Sequence, residues 1–224
     1  MLGSIYNKYF FNINMNKFKV TPFLNEKENK DSSIFPIPLR ALILGKSGSG
    51  KTTLLWNIIT KYWIKFDYLY IFTKSVDQPI YKNIQDVFSG VDIEIFVYER
   101  YEDLITVDDC KSNSLVVFDD CILEQQTIIR DYFVRSRPKN ISCIYLSQSY
   151  SMVDMKVIRN NLNFLIVFNQ SMYYLKKIWE EFICSNMTLK EFHDLCQLCW
   201  KTQHSFLSIN VQNCIFYNKF ERLR

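Results

Sequence analysis

The chain has 224 residues, of which 48% are hydrophobic and 16% aromatic, with a formal net charge of +4. That is enough for one sizeable α/β domain with its own core, and no run approaches the roughly 18 uninterrupted apolar residues of a membrane-spanning helix. Its 7 cysteines, an odd number scattered over core-like segments, argue for reduced thiols and against a secreted disulfide framework.

From the N-terminus, residues 1–35 read as an extension or linker. Residues 1–19 alternate Tyr, Phe and Asn with no compact apolar segment, unlike a secretory signal, which implies an intracellular protein. A polar, charged run at 25–33 follows, closed by Pro36 and Pro38. An apolar strand is predicted at 40–44. Directly after it stands Gly45-Lys46-Ser47-Gly48-Ser49-Gly50-Lys51-Thr52, a match to G-x-x-x-x-G-K-[ST], and then Thr53 in a predicted helix over 51–65. Three of the chain's 5 glycines sit in this one turn, where positive φ or close backbone approach is needed. Such a turn between a buried strand and a helix N-terminus aims backbone N–H groups and the helix dipole at an anion. A nucleotide is the expected ligand, with Lys51 on the β/γ-phosphates and Thr52 on Mg²⁺.

A second buried strand is predicted at 68–72, a helix at 79–88 and a third strand at 93–98. A loop with Glu99, Glu102, Asp103, Asp108 and Asp109 reads as an exposed acidic connector. The strand Ser114-Leu115-Val116-Val117-Phe118 ends in Asp119-Asp120, at the sheet edge where open α/β proteins bind ligands. Asp119 is the expected Mg²⁺ partner of Thr52, and Asp120 the group that orients or deprotonates water. A helix at 124–134 leads to Arg135-Ser136-Arg137-Pro138 and to a strand at 141–146 that ends in Ser147-Gln148-Ser149, with Gln148 at the same edge as the acids. An amphipathic stretch at 153–162 carries Lys156 and Arg159, and a fifth core strand is predicted at 164–168. The remainder, 171–224, reads as helices at 173–183 and at 188–200, the second opened by the capping box Thr188 to Glu191, and a terminal hairpin at 205–209 and 214–220. His193, Cys196, Cys199 and His204 have a spacing that could suit zinc, but on a helix they read as a packing face. The segment 36–170 would be the ATPase core, and 171–224 would complete the same domain.

The succession Leu42-Ile43-Leu44-Gly45 to Gly50-Lys51-Thr52-Thr53, Val116-Val117-Phe118-Asp119-Asp120, Arg135-x-Arg137 and Tyr145-Leu146-Ser147-Gln148-Ser149-Tyr150 resembles the genome-packaging ATPases of the FtsK–HerA superfamily, found in large DNA viruses, virophages and Polinton-type elements. The resemblance spans about 36–220. It implies an ASCE-type P-loop fold, a three-layer sandwich around a mostly parallel sheet, with a strand inserted between the phosphate-loop strand and the acid-pair strand that brings Gln148 beside the γ-phosphate. It also implies a ring of identical subunits, pentameric or hexameric, that hydrolyses ATP to move double-stranded DNA into a capsid. Such an enzyme would act in the host cytoplasm, at virus factories, with the virion as a second location, and would partner capsid proteins. The arginine completing a neighbour's site falls at Arg135 or Arg137. Here the expected Arg-Gly-Arg-His is replaced by a segment with Ser136 and Pro138, and Arg159 is a rival. A small-molecule or nucleoside kinase is the alternative function. A GTPase is rejected, because Asn218-Lys219-Phe220-Glu221 is not Asn-Lys-x-Asp.

Overall fold

The computed structural model describes residues 34–121, 126–153, 157–183 and 185–223. The extension predicted over 1–35 lies almost wholly outside them, as do Lys156 and the start of the helix predicted at 124.

Among the described residues the strands are β1 (Arg40–Leu44), β2 (Tyr68–Thr73), β3 (Glu94–Tyr98), β4 (Ser114–Asp119), β5 (Ser142–Ser147), β6 (Phe164–Phe168), β7 (Phe206–Asn210), β8 (Ile215–Asn218) and β9 (Glu221–Arg222). The α-helices are α1 (Lys51–Thr60), α2 (Pro79–Lys82), α3 (Ile84–Val87), α4 (Thr127–Arg135), α5 (Val157–Asn160), α6 (Met172–Ile178) and α7 (Leu189–Cys199). The strands form one sheet in the order β3-β2-β4-β5-β1-β6-β7-β8-β9. β1 to β6 run parallel, and β7, β8 and β9 extend the sheet antiparallel beyond β6. The inserted strand is present. β5 lies between β1 and β4, with Ser147 beside Leu44 and Leu146 beside Asp119.

Successive side chains of a strand point to opposite faces, so a strand covered on both faces must be apolar at every position. Leu42, Leu44, Val116, Phe118 and Tyr145 enter one core, beneath Tyr132 and Phe133 of α4 and Phe192 and Cys196 of α7. Ala41, Ile43, Leu115, Val117 and Ile144 enter the other, beneath Leu54, Leu55 and Ile58 of α1. Helices on both faces of the sheet make the predicted three-layer sandwich.

Three helix predictions run differently in the structure, each for a local reason. The helix expected to 65 ends at Thr60, because Tyr62 takes the left-handed conformation at φ 53. Its N–H donates to Ile59 O at 3.1 Å and that of Trp63 to Ile58 O at 3.2 Å, a Schellman closure with tyrosine where glycine is usual. The Tyr62 hydroxyl donates to Phe66 O at 2.7 Å. The single helix expected at 79–88 is α2 and α3, separated at Asn83, whose side-chain amide donates to Pro79 O at 2.9 Å and competes with the backbone ladder. The helix expected at 173–183 changes after Ile178 into a π-helical turn over Trp179–Ile183. The capping box is present as predicted, Glu191 accepting the Thr188 N–H at 2.7 Å and Thr188 accepting the Glu191 N–H at 3.3 Å.

The four residues with metal-like spacing separate in space. Cys196 and Cys199 are buried in the core, as the packing-face reading requires, while His193 is half exposed and His204 lies against the phosphate loop. Among the described residues no group of three or more His, Cys, Asp or Glu is placed to hold a metal ion. No described helix is long and apolar enough to cross a membrane.

Candidate functional site

The phosphate loop begins where β1 ends and closes where α1 starts. Gly45 has no room for a side chain: a Cβ there would lie 2.3 Å from Ser49 Oγ and 3.0 Å from Phe168 Cβ. Gly50, at φ 102, takes a conformation that L side chains rarely adopt. The Gly45 N–H donates to Ser147 O at 3.1 Å, tying the root of the loop to the end of β5. Lys51 is buried, and its ammonium donates to Gly45 O at 2.7 Å and Lys46 O at 3.0 Å. Burial pushes the Lys51 pKa down, and the charges of Asp119 and Asp120 pull it back up.

Asp119 is 6% exposed at the end of β4 and accepts a hydrogen bond from the hydroxyl of Tyr81 on α2. Burial raises its pKa above the usual carboxylate value. The Tyr81 hydrogen bond opposes that rise, the neighbouring Asp120 adds to it and Lys51 opposes it. Asp120 is exposed, with left-handed backbone at φ 57, and accepts a hydrogen bond from Ser75 Oγ at 3.2 Å. Non-glycine residues held in that region mark sites over-determined by their surroundings.

These groups face one cleft of about 320 Å³, lined by Ser47, Gly48, Lys51, Thr52, Gln78, Asp119, Asp120, Leu146, Ser147 and Gln148. The structure therefore brings together Lys51, Thr52, both acids and Gln148 of the sequence-predicted set. Lys46 and Thr53 are exposed at the two ends of the loop, and Ser49 is half-buried. Thr52 and Asp119, which line the same cleft, offer hydroxyl and carboxylate oxygens. Hard oxygen donors of this kind suit Mg²⁺, and a cation there would stabilise the ionised form of a carboxyl that burial disfavours.

Arg135 and Arg137 stand elsewhere. α4 starts near the cleft and runs back, so both lie at the opposite edge of the sheet, where Lys139 O accepts the Asn113 N–H just before β4. Both are exposed, and Arg135 donates to Asp108 at 2.7 and 2.8 Å. Arg159 is 3% exposed, paired with Glu181 at 2.6 Å and stacked over the Tyr150 ring at 4.5 Å. It is committed within the chain, which argues against it as a rival to Arg135 and Arg137 and as a contact for DNA.

Two contributors were missed in the sequence. Tyr81 sits among apolar helix positions and gave no signal. Substituting Phe at 81 should leave a buried carboxylate oxygen without its donor, raise the Asp119 pKa further and destabilise the fold by about 1–3 kcal/mol, with weaker Mg²⁺-dependent ATP binding. Denaturant midpoints and a Mg²⁺ titration check this. The second is His204, read only as part of the metal-like spacing. Its Nδ1 lies 3.1 Å from Ser49 O, and its ring is 3.4–3.6 Å from where a Gly50 Cβ would stand. A carbonyl can only accept, so Nδ1 carries the hydrogen. His204→Ala should weaken ATP binding about two- to tenfold, the scale of one lost neutral hydrogen bond, with turnover at saturating ATP nearly unchanged. Steady-state kinetics beside nucleotide titration check that split.

A phosphate loop, an acid pair on the strand next but one, and an interposed strand with a polar tip define a P-loop NTPase of the ASCE type. The chain belongs to the poxvirus A32 protein family, whose model matches residues 26–223. Comparison with curated proteins gives no match. Among solved structures the chain is similar to the genome packaging NTPase B204 from Sulfolobus turreted icosahedral virus 2 in complex with AMPPCP, with TM-score 0.58 and 15% identity over 80% of this chain and 96% of that one. It is likewise similar to B204, the DNA-packaging ATPase from Sulfolobus Turreted Icosahedral Virus, with TM-score 0.56 and 15% identity over 81% and 96%. A third likeness is to the pCW3 conjugation coupling protein TcpA with ATPgS, with TM-score 0.51 and 12% identity over 82% of this chain and 62% of that one. The resemblance read in the sequence is thus borne out in family and fold.

Proposed function

We propose that this chain is the ATP-hydrolysing subunit of a motor that moves double-stranded DNA into a viral capsid. The observation that carries the reading is the convergence of Lys51, Thr52, Asp119, Asp120 and Gln148 on one cleft, in a chain of the poxvirus A32 protein family. The fold is shared with B204, which is a genome-packaging NTPase.

ATP lies with its phosphates in the loop, and Lys51 exchanges the Gly45 and Lys46 carbonyls for β/γ-phosphate oxygens. Thr52 and Asp119 would hold Mg²⁺, which would neutralise charge developing on the phosphates. Asp120 orients water for attack on the γ-phosphorus and takes its proton as the bond to the β–γ bridging oxygen breaks and ADP leaves, and the Gln148 amide contacts the γ-phosphate or the water. A kinase would instead place an acceptor hydroxyl at Asp120, and the paired acids Asp119 and Asp120 suit water activation better. The motor is a ring of identical subunits, with Arg137 or Arg135 completing the neighbour's site, acting with capsid proteins in the cytoplasm of the infected cell.

ATP hydrolysis measured with and without DNA tests the reading. Double-stranded DNA of unrelated sequences should stimulate turnover alike, and DNA affinity should fall steeply with salt, because each neutralised phosphate releases counterions. Turnover that appears only with a small-molecule acceptor, or DNA binding that is flat from low to high salt, would sink it.

A further inference from the structure

Gln148 follows the last residue of β5 and lines the cleft, on a segment that its surroundings pin residue by residue. Ser147 Oγ donates to Ser149 O at 3.0 Å and accepts the Ser149 N–H at 3.2 Å, closing a tight turn around Gln148. The next three residues are each tied to one helix. The hydroxyls of Ser149 and Tyr174 lie 3.0 Å apart, the Tyr150 hydroxyl donates to Glu181, and Lys177 Nζ donates to Ser151 Oγ at 3.3 Å. Spacings of three and four place Tyr174, Lys177 and Glu181 on one face, the first two in α6 and the third in the π-helical turn Trp179–Ile183 that continues it. Turns of this rare kind occur frequently at functional sites. Behind the contact Arg159, 3% exposed, pairs with Glu181 at 2.6 Å and stacks over the ring of Tyr150, itself 1% exposed. A guanidinium so buried needs its carboxylate in place, which fixes the oxygen that Tyr150 reaches.

We propose that this helix face holds the Gln148 loop in register with the cleft, with Tyr150, Tyr174 and Glu181 as positioning residues for hydrolysis. The proposal rests on Gln148 acting at the γ-phosphate or the water. A group in that role must be delivered accurately, since a misplacement of about 1 Å can cost about 10²-fold in rate. The sheet alone does not deliver it. Its pairing with β1 ends at Ser147, beside Leu44, and the backbone that leaves Gln148 is placed by the contacts to Tyr174, Glu181 and Lys177 instead.

Tyr150→Phe combined with Tyr174→Phe in the full chain tests this, because the pair removes two hydroxyls and leaves Arg159 on Glu181. ATP affinity should stay within about twofold, while single-turnover hydrolysis should slow about 5- to 50-fold, the scale of two hydrogen bonds. The deciding comparison is made on Gln148→Ala. There the two Phe substitutions should slow hydrolysis by no more than about twofold further, because the loop no longer carries the group it positions. Contacts that only support the fold would slow both backgrounds by the same factor, and that result would overturn the proposal. So would hydrolysis at the parent rate by the paired variant, or weaker ATP binding with turnover at saturation unchanged. If the paired variant does not fold, Ser149→Ala removes one contact from the loop side and takes the same comparison, with an expected slowing of about 2- to 10-fold. A slow Gln148→Ala beside a paired variant at the parent rate removes this proposal alone. If Gln148→Ala itself hydrolyses ATP at the parent rate, the role of Gln148 falls and the proposal with it.

Discussion

Lys51→Ala should abolish ATP turnover and most nucleotide affinity, while Asp120→Asn should bind ATP normally and hydrolyse it roughly 10² to 10⁴ times more slowly, the usual worth of a positioned general base. The two variants separate because the groups do different things at one cleft. The Lys51 ammonium already sits inside the loop on Gly45 O and Lys46 O, so its loss removes the charge that would meet the β/γ-phosphates and leaves two loop carbonyls unpaired. Asp120 is exposed at the far wall, held by Ser75 and by its left-handed backbone, and an amide keeps that placement without the basicity. Nucleotide titration and single-turnover hydrolysis of both variants make the measurement. Normal hydrolysis by Asp120→Asn removes it from the catalytic set.

Mixing Arg137→Ala subunits with Lys51→Ala subunits should restore hydrolysis that neither parent shows. An arginine presented across a subunit boundary is typically worth about 10³ to 10⁵ in turnover, so a mixed interface that joins an intact phosphate loop to an intact arginine stands far above background. The structure sharpens the choice among candidates. Arg159 is withdrawn by its burial against Glu181 and Tyr150, and Arg135 is occupied by Asp108 on the surface, which leaves Arg137 with an unengaged guanidinium. If the mixture is as inactive as its parents while subunits still assemble, Arg137 is not the trans residue and Arg135 takes the same test.

What was legible in the sequence follows from how far apart the interacting residues lie. Five of the six parallel strands announce themselves as largely continuous apolar runs, because burial on both faces leaves no alternation to interpret, and β3, half-buried at the sheet edge, is apolar after Glu94. The phosphate loop is equally local: eight consecutive residues hold its glycines, lysine and threonine. The strand end that carries Asp119 and Asp120 is legible for the same reason, because it is a local feature. That β5 lies between β1 and β4 is different, and came from family resemblance, since strand order depends on pairings between distant segments. Tyr81 reaches Asp119 across 38 residues and His204 reaches Ser49 across 155, and neither contact has a local signature. The overrun of α1 has another cause. A helix stop is read from glycine, and here Tyr62 adopts the left-handed closure instead, held by its own hydroxyl on Phe66.

The two ends of the sheet constrain how copies of this chain can meet. At one end β9 is only two residues long, Glu221 and Arg222, both exposed. At the other, β3 begins with exposed Glu94, bound to Lys111 at 2.9 Å. A two-residue charged border such as β9 discourages an incoming strand from docking on the open N–H and C=O row, and at β3 the charged pair guards the start of the strand alone. Were copies of this chain to associate, such a border would disfavour joining their sheets into continuous fibres and would favour contacts through helices and loops.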